Sequence, residues 1–411
     1  MTLIPSSILV CCIVLLGLDA SAQVKCGIDN LIDTDFALLR GKKVVLVTHA
    51  AARTYRGTST AEEFLQRQDV TTLRLLAPEH GYFGVIGAGK TVVDDTVMGV
   101  PVVSLYGPKR RPDKAMLEGA DLVVVDMQDI GVRSYTYIST MTEVMEACAL
   151  WNVRLMILDR PDPLGGNIVD GNLPDDTLRS FIGRLPVPYV HGMTMGELAT
   201  MANAEGWLTK DSIGIARTCS LTVIRCKRWK RSMTWEETGL RWYATSPNIP
   251  TINAVRGYAM TGLLGELGPC SIGMGTASPF TAVGAPDFPR DTLLEIHCKR
   301  YGVLASRARF QPHSAKFANT VCEGYYLSTQ RSWKPYHVAL TLLWRLRVLR
   351  SESFPDTLSQ TKHGKMFAKA CGSTELVEAI VSGKPLAELE RIGRKGVVPF
   401  VARRKKYLLY D

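Results

Sequence analysis

Leu122-Val123-Val124-Val125-Asp126-Met127-Gln128-Asp129 is a run of four aliphatic residues that passes straight into a polar turn. A strand with one wet face alternates apolar and polar side chains, so an unbroken β-branched run reads as a strand buried on both faces. Strand candidates of the same kind lie on either side: Val44–Thr48, Thr72–Ala77, Val102–Leu105 and Arg154–Leu158. Stretches of helical composition, Thr60–Arg67 and Thr140–Leu150, fall between them. Strand, helix, strand at this rhythm predicts an α/β fold, a mostly parallel sheet with helices on both faces. In such sheets ligands bind beyond the carboxyl ends of the strands. Four of those ends are polar here: His49-Ala50-Ala51, Pro78-Glu79-His80-Gly81, Asp126 to Asp129, and Asp159-Arg160-Pro161-Asp162.

Downstream come a helix from Thr194 to about Ala204, a strand near Leu221–Ile224 and the basic run Lys227-Arg228-Trp229-Lys230-Arg231. A domain boundary is placed near Ser232–Gly239, separating an amino-terminal unit, 24–235, from a carboxy-terminal unit, 240–411. The second unit holds a glycine-rich stretch from Gly257 to Gly284 and a helix near Val338–Arg350. Its basic end, Arg403-Arg404-Lys405-Lys406, reads as a solvated, frayed terminus.

The 411 residues are 46% hydrophobic and carry a net charge of +10, an ordinary globular composition with an attraction for polyanions. Ile8–Leu18 is too short an apolar run to span a bilayer, and it ends in Asp19-Ala20-Ser21-Ala22-Gln23, a small-residue cleavage pattern. Residues 1–22 therefore read as a signal peptide, which predicts a periplasmic or secreted protein with no integral membrane segment after removal. The eight cysteines beyond it contain no C-x-x-C pair and are expected to be small buried hydrophobes, Cys219 and Cys226 being the nearest pair. No G-x-G-x-x-G or P-loop follows the first strand, and no H-E-x-x-H is present, so the sequence calls for neither cofactor nor metal. Interleaved aromatics for nucleic-acid binding are absent from the basic tail.

Glu79 and His80 sit side by side just past a strand, and a glutamate in a partly desolvated cleft can serve as a general acid. Helix capping or pairing with an arginine is the plain alternative for Glu79. Asp126, Gln128, Asp129, Arg133, Tyr135 and Tyr137 can together bind a polyhydroxylated ring, or form a loop whose charges satisfy one another. Asp159-Arg160-Pro161-Asp162 is a rigid turn that lines a pocket or merely connects. Thr194 and Glu197 fit a capping box, which is the preferred explanation of Glu197; His191 precedes that cap and faces the cleft on this reading.

Taken together, Pro78-Glu79-His80-Gly81, the block from Asp126 to Met141, Asp159-Arg160-Pro161, His191-Gly192-Met193-Thr194-Met195-Gly196-Glu197 and Ser246-Pro247-Asn248-Ile249-Pro250-Thr251 resemble the NamZ-type exo-β-N-acetylmuramidases. The resemblance runs in order from about Gly27 to the carboxyl terminus. It implies a Rossmann-like first domain, a smaller α+β second domain and a cleft between them. It also implies a glycoside hydrolase that releases N-acetylmuramic acid, or a related N-acetylated amino sugar, from the non-reducing end of peptidoglycan fragments. Carried over, Glu79 is the general acid and Tyr137 a second catalytic residue, with Asp126 and Asp129 the carboxylates available to the opposite face. His80, Asp126, Gln128, Arg133, Tyr135, Asp159, His191 and Asn248 are expected to bind substrate. Family members commonly have arginine at the position of Phe83, and Ser-Glu-Gly-Arg-Gly-Thr where this chain has Ser271-Ile272-Gly273-Met274-Gly275-Thr276. The alternative is a non-catalytic cell-wall glycan-binding protein on the same fold.

Overall fold

The computed structural model describes residues 23–411, and the signal-peptide reading falls on residues 1–22, outside the described residues. The first domain comprises α1 (Gly27–Asp33), β1 (Lys43–Thr48), α2 (Thr60–Leu65), β2 (Thr71–Ala77), β3 (Asp95–Val97), β4 (Val100–Ser104), α3 (Lys114–Leu117), β5 (Leu122–Asp126), α4 (Tyr137–Trp151), β6 (Arg154–Leu158), α5 (Met195–Ala204) and β7 (Leu221–Ile224). These strands form one sheet in the order β3-β4-β2-β1-β5-β6-β7. From β4 to β7 every neighbouring pair is parallel, and β3 pairs antiparallel with β4 at the edge. The edge strand Asp95-Thr96-Val97 escaped the sequence reading because it is short, polar and exposed. The five strand candidates and Leu221–Ile224 are strands to within two residues.

Side chains alternate across the sheet with period two. Val45, Val47, Val123, Val125 and Ile157 pack on α4 through Ile138 and Met141. Val44, Leu46, Val124 and Met156 point the other way, onto Ile28 and Phe64. With both faces dry, the strands need no polar alternation, which is why they read as continuous aliphatic runs.

The second domain contains α6 (Ile252–Leu267), β8 (Ala282–Ala285), α7 (Thr292–Arg300), β9 (Val303–Phe310), β10 (Cys322–Thr329), α8 (Pro335–Leu349), α9 (Lys362–Cys371), α10 (Thr374–Val381), α11 (Leu386–Gly393) and α12 (Val397–Arg404). Its sheet is antiparallel, in the order β8-β10-β9. The glycine-rich stretch opens inside α6, where Thr251 caps the helix by accepting from the Ala254 N–H at 3.2 Å. Glycine at 257 costs about 1 kcal/mol of helix propensity. It is there because a Cβ would lie 2.6 Å from the Phe280 carbonyl carbon.

The two domains share a core: Val255 and Leu263 of α6 and Leu340 of α8 belong to the same apolar cluster as Val125 and Met141. The carboxyl terminus returns to the first domain, which corrects the expectation of a frayed basic tail. Arg404 is buried and donates to the carbonyls of Gly166 (3.1 Å), His191 (3.2 Å) and Gly192 (2.6 Å). Tyr407 bonds Glu205 at 2.6 Å and Tyr410 bonds Asp159 at 2.6 Å. Burial of the aromatic body with a satisfied phenol is what holds such a segment down. All eight described cysteines are buried and unpaired. Among the described residues, no helix is long and apolar enough to cross a membrane.

Candidate active site

β2 ends at Ala77, and Pro78, which has no N–H to donate, turns the chain off the sheet edge. His80 follows with φ at +74°, an uncommon conformation for a residue with a Cβ. Its ring is fixed by Nδ1 at 2.7 Å from the Ile86 carbonyl oxygen and stacks on Tyr135 at 6.3 Å. Between them Glu79, 6% exposed, holds its carboxylate on two donors. Thr136 Oγ1 donates to Oε2 at 2.6 Å and the Gly89 N–H to Oε1 at 2.8 Å. Thr136 sits at the amino end of α4, so the carboxylate is tied both to the loop after β5, two strands away in the sheet, and to the loop of its own strand. Tyr106 lies beside it, its phenol pushed up by burial and then by the Glu79 charge.

The second domain reaches the same place through α6. Tyr258 meets Ser134 Oγ at 3.2 Å and crosses the Tyr135 ring edge-on at 6.0 Å. Tyr258, Gly262 and Glu266 follow at intervals of four, so they share one helix face. The Glu266 carboxylate is partly buried and carries no hydrogen bond or ion pair among the described residues. Burial raises its pKa, the His363 charge opposes this, and the Glu79 charge raises it further. Tyr258 thus brings α6 of the second domain against Tyr135, beside the loop that carries Thr136, and Glu266 lies two turns further along the same helix face. The sequence reading missed Glu266 because it lies in an apolar helical context, and missed Thr136 because it sits between two tyrosines that drew attention.

Several residues expected to bind substrate are occupied by the fold instead. Asp126 is fully buried at the end of β5, where Arg160 grips both its oxygens and Thr60 Oγ1 adds a third bond. Arg133 is also fully buried. Its guanidinium donates to the carbonyls of Asn172 (2.7 Å) and Val187 (2.8 Å) in the first domain, and of Ala370 (3.2 Å) and Cys371 (2.8 Å) in the second. It fastens the domains together. Asp159 receives Thr194 Oγ1 at 2.7 Å, the Gly196 N–H at 2.8 Å and the Tyr410 hydroxyl at 2.6 Å, so it anchors α5 and the carboxyl terminus. Burial raises its carboxyl to about 6. Gln128 spends its amide on the carbonyls of Asp129 (2.9 Å) and Pro161 (3.2 Å), while its backbone N–H donates to His49 at 3.0 Å.

Tyr137 is fully buried too. Its hydroxyl donates to the Thr245 carbonyl at 2.8 Å and lies 3.4 Å from the Glu79 carbonyl. Tyr135 donates to Thr245 Oγ1 at 2.9 Å. Both tyrosines therefore bind the interdomain segment, and Tyr137 also lies against the backbone of Glu79. Asn248, on that segment, is half-buried with no hydrogen bond among the described residues.

Asp129 and His191 come together in a buried knot with Asp162. His191 Nε2 is 3.8 Å from Asp129 Oδ2 and Nδ1 is 3.9 Å from Asp162 Oδ2. Asp129 accepts the Gly131 N–H at 2.8 Å, and burial raises it to about 7. His191 is pushed down to about 3, chiefly by burial and then by the Arg404 charge, so it is neutral. Gly131 has φ at +79°, and a Cβ there would meet Asp162 Oδ1 at 2.4 Å, so only glycine allows this approach. Glu197 completes the capping box with Thr194, as expected, and pairs with Arg231 at 2.7 Å. Among the described residues no three His, Cys, Asp or Glu side chains converge as a metal site. Phe83 is 54% exposed against Tyr82, whereas Ile272 is buried in the shared core and Met274 packs on it.

Comparison with known proteins bears on this arrangement. The model of the exo-β-N-acetylmuramidase NamZ amino-terminal domain matches residues 44–253, and that of its carboxy-terminal domain matches residues 256–410. The peptidoglycan β-N-acetylmuramidase NamZ of Bacillus subtilis (strain 168) is 34% identical over 396 residues, covering 94% of this chain and 92% of that protein. Two crystal structures of DUF1343 family proteins from Bacteroides fragilis are similar in fold. One has a TM-score of 0.85 at 32% identity, the other 0.72 at 28%, and each alignment covers 95% of this chain and 99% of that one. The polypeptide thus belongs to the NamZ family of exo-β-N-acetylmuramidases, a family of glycosidases.

Proposed function

We propose that this chain is an exo-acting hydrolase of peptidoglycan fragments, releasing N-acetylmuramic acid or a closely related N-acetylated amino sugar from the non-reducing end. The observation that carries the reading is Glu79 itself, a buried carboxylate just past a strand end, held by Thr136 and Gly89 beside the packed His80, Tyr135 and Tyr258 rings. Glycosidic cleavage needs a proton for the leaving oxygen and, on the opposite face of the ring, a base, a nucleophile or the substrate's own acetamido oxygen. Glu79, oriented by Thr136 and Gly89, delivers the proton as oxocarbenium character develops at the anomeric carbon. Glu266, partly buried and without a hydrogen bond or ion pair on its carboxylate among the described residues, is assigned as the second carboxylate in place of Asp126 and Asp129. It activates water or orients the acetamido group, and the water's oxygen ends on the anomeric carbon while the aglycone leaves as an alcohol. Tyrosine faces suit a pyranose ring, whose apolar CH face packs on aromatic surface. We also propose an extracytoplasmic site of action, periplasmic or secreted, from the apolar run and cleavage pattern at residues 8–23.

The test is mass spectrometry of products from a muramyl-glucosaminyl disaccharide. Wild type is expected to release the free amino sugar. Glu79→Gln should slow release by about 10²–10⁴-fold, the usual worth of a positioned acid. Glu266→Gln should cost a similar factor while leaving the thermal midpoint unchanged. Intact disaccharide at high wild-type concentration would favour the glycan-binding alternative, with which the apolar side chains of buried Ile272 and half-buried Met274 are compatible.

A further inference from the structure

Just before α1, the amino-terminal segment lies antiparallel to the segment that leaves β7. Lys25 and Lys227 are opposite one another and exchange both backbone hydrogen bonds. The Lys25 N–H donates to the Lys227 carbonyl at 3.1 Å, and the Lys227 N–H to the Lys25 carbonyl at 2.8 Å. Their side chains share one side of this bridge, since both ammonium groups reach Asp33, at 2.8 and 3.2 Å. In an antiparallel ladder the next residue on each segment is opposite its counterpart too, as a pair without mutual hydrogen bonds whose side chains point to the other side. Those residues are Cys26 and Cys226. Their backbones agree. Cys26 is extended, with φ at −76° and ψ at 172°, and its N–H donates to Asp29 at 2.7 Å. The Cys226 N–H donates to the Tyr410 hydroxyl at 2.9 Å. Both side chains are buried, and both sulfurs sit over the end of β6. Cys226 Sγ is 3.2 Å from the Asp159 carbonyl oxygen, and Arg160 Nη1 is 3.7 Å from Cys26 Sγ. Burial raises the Cys226 thiol, and the adjoining Cys26 side chain raises it further.

A pair of this kind holds its Cα atoms about 4.5 Å apart, within the range of about 4.4–6.8 Å that a disulfide spans. Cys219, nearer to Cys226 along the chain, is no such partner, because β7 lies between them and its four residues rise about 3.3 Å each. We infer that Cys26 and Cys226 are a disulfide-forming pair, a clasp that ties the amino-terminal segment to the exit of β7. The oxidant is an external disulfide. One cysteine, as its thiolate, attacks it, forming a mixed disulfide and expelling one external thiolate. The other cysteine then attacks the protein sulfur of that mixed disulfide, forming the Cys26–Cys226 bond and expelling the second external thiolate. The two cysteine protons pass through solvent to the expelled thiolates, so the pair is oxidised and the external disulfide is reduced to two thiols. The bond closes a loop of about 200 residues, with the whole first sheet between its ends. Its formation in the cell rests on the extracytoplasmic reading; its formation in buffer does not.

Peptide mapping tests the pair on the full chain. The folded protein, first reduced, is incubated with oxidised glutathione, its remaining thiols are alkylated in denaturant, and it is digested without reduction. The expected product is a linked peptide carrying Cys26 and Cys226, lighter by two hydrogens than its two halves, with Cys219 alkylated. Alkylation of both Cys26 and Cys226, or linkage of Cys226 to Cys219, would overturn the inference. Reduction should lower the thermal midpoint of the oxidised chain by about 5 °C, the chain-entropy effect of so long a loop, and Cys26→Ser should abolish that difference. An oxidised chain no more stable than the reduced one would overturn the clasp, because the bond would then distort the fold. A bond that forms with glutathione but is missing from protein taken from its own cells would sink the extracytoplasmic reading and spare the pair. Failure with glutathione sinks the pair in any compartment.

Discussion

Glu79 and Asp129 are both buried carboxyls past strand ends, yet their surroundings give them different work. Glu79 has a donor on each oxygen, Thr136 Oγ1 and the Gly89 N–H, and lies beside Tyr106, the surroundings on which its proposed role as acid rests. Asp129 is enclosed with a neutral histidine, and its proton affects stability. It is raised from an ordinary 3.8 to about 7, so between about pH 4 and 7 the folded chain holds a proton that the unfolded chain has lost. Its contribution to stability therefore falls as pH rises through that window. His191, lowered from 6.5 to about 3, does the opposite, because below about 6.5 the unfolded chain gains a proton that the fold refuses. In wild type the two slopes oppose each other. Asp129→Asn removes one of them, so urea midpoints measured from pH 4 to 7.5 should rise more steeply with pH in the variant, at about 1.4 kcal/mol per unit of displaced pKa. Parallel curves for the two proteins would show that Asp129 does not hold the proton.

At the scale of elements, two helix starts look alike in sequence and differ in load. Thr251 caps α6 through one bond, to the Ala254 N–H. Thr194 caps α5 and also donates to the buried carboxyl of Asp159 at 2.7 Å. Thr251→Ala should cost about 1 kcal/mol, an ordinary cap. Thr194→Ala should cost about 2–3 kcal/mol, since the cap is lost and a buried acceptor loses a donor as well. Chemical denaturation of both variants checks the contrast, and equal losses would mean that Asp159 finds another partner. The glycine-rich stretch teaches the same lesson. Its first glycine lies inside α6 because the helix packs there against Phe280, where a Cβ would not fit.

At the scale of the whole molecule, one side chain fastens the domains. Arg133 gives hydrogen bonds to two carbonyls in each, without a carboxylate partner among the described residues, and burial lowers its pKa. Arg133→Met fills similar space but leaves all four carbonyls unpaired. A loss of about 3–5 kcal/mol is expected, with the single unfolding transition broadening as the domains uncouple. Unfolding at the wild-type denaturant midpoint would show that the shared apolar core holds the seam alone.

The parallel sheet and its polar edge were legible because they depend on local pattern: aliphatic runs such as Leu122–Val125 require two dry faces, and Asp126 to Asp129 mark where the run stops. The place of Glu79 just past a strand end was legible because a proline and a glycine flank it at such an edge, and the capping box of α5 because it needs only a fixed spacing. Which polar groups stay free for a ligand was decided by tertiary structure. Asp126, Arg133 and Asp159 are matched by residues 34, 39 to 238, and 35 to 251 positions away, and those partners exist only once the chain has folded. The same holds for Glu266, an ordinary helical glutamate that the folded chain leaves partly buried and without a hydrogen bond or ion pair on its carboxylate among the described residues. Pattern along the chain fixes which faces are buried; desolvation and charge pairing between distant segments fix which carboxylates remain to do chemistry.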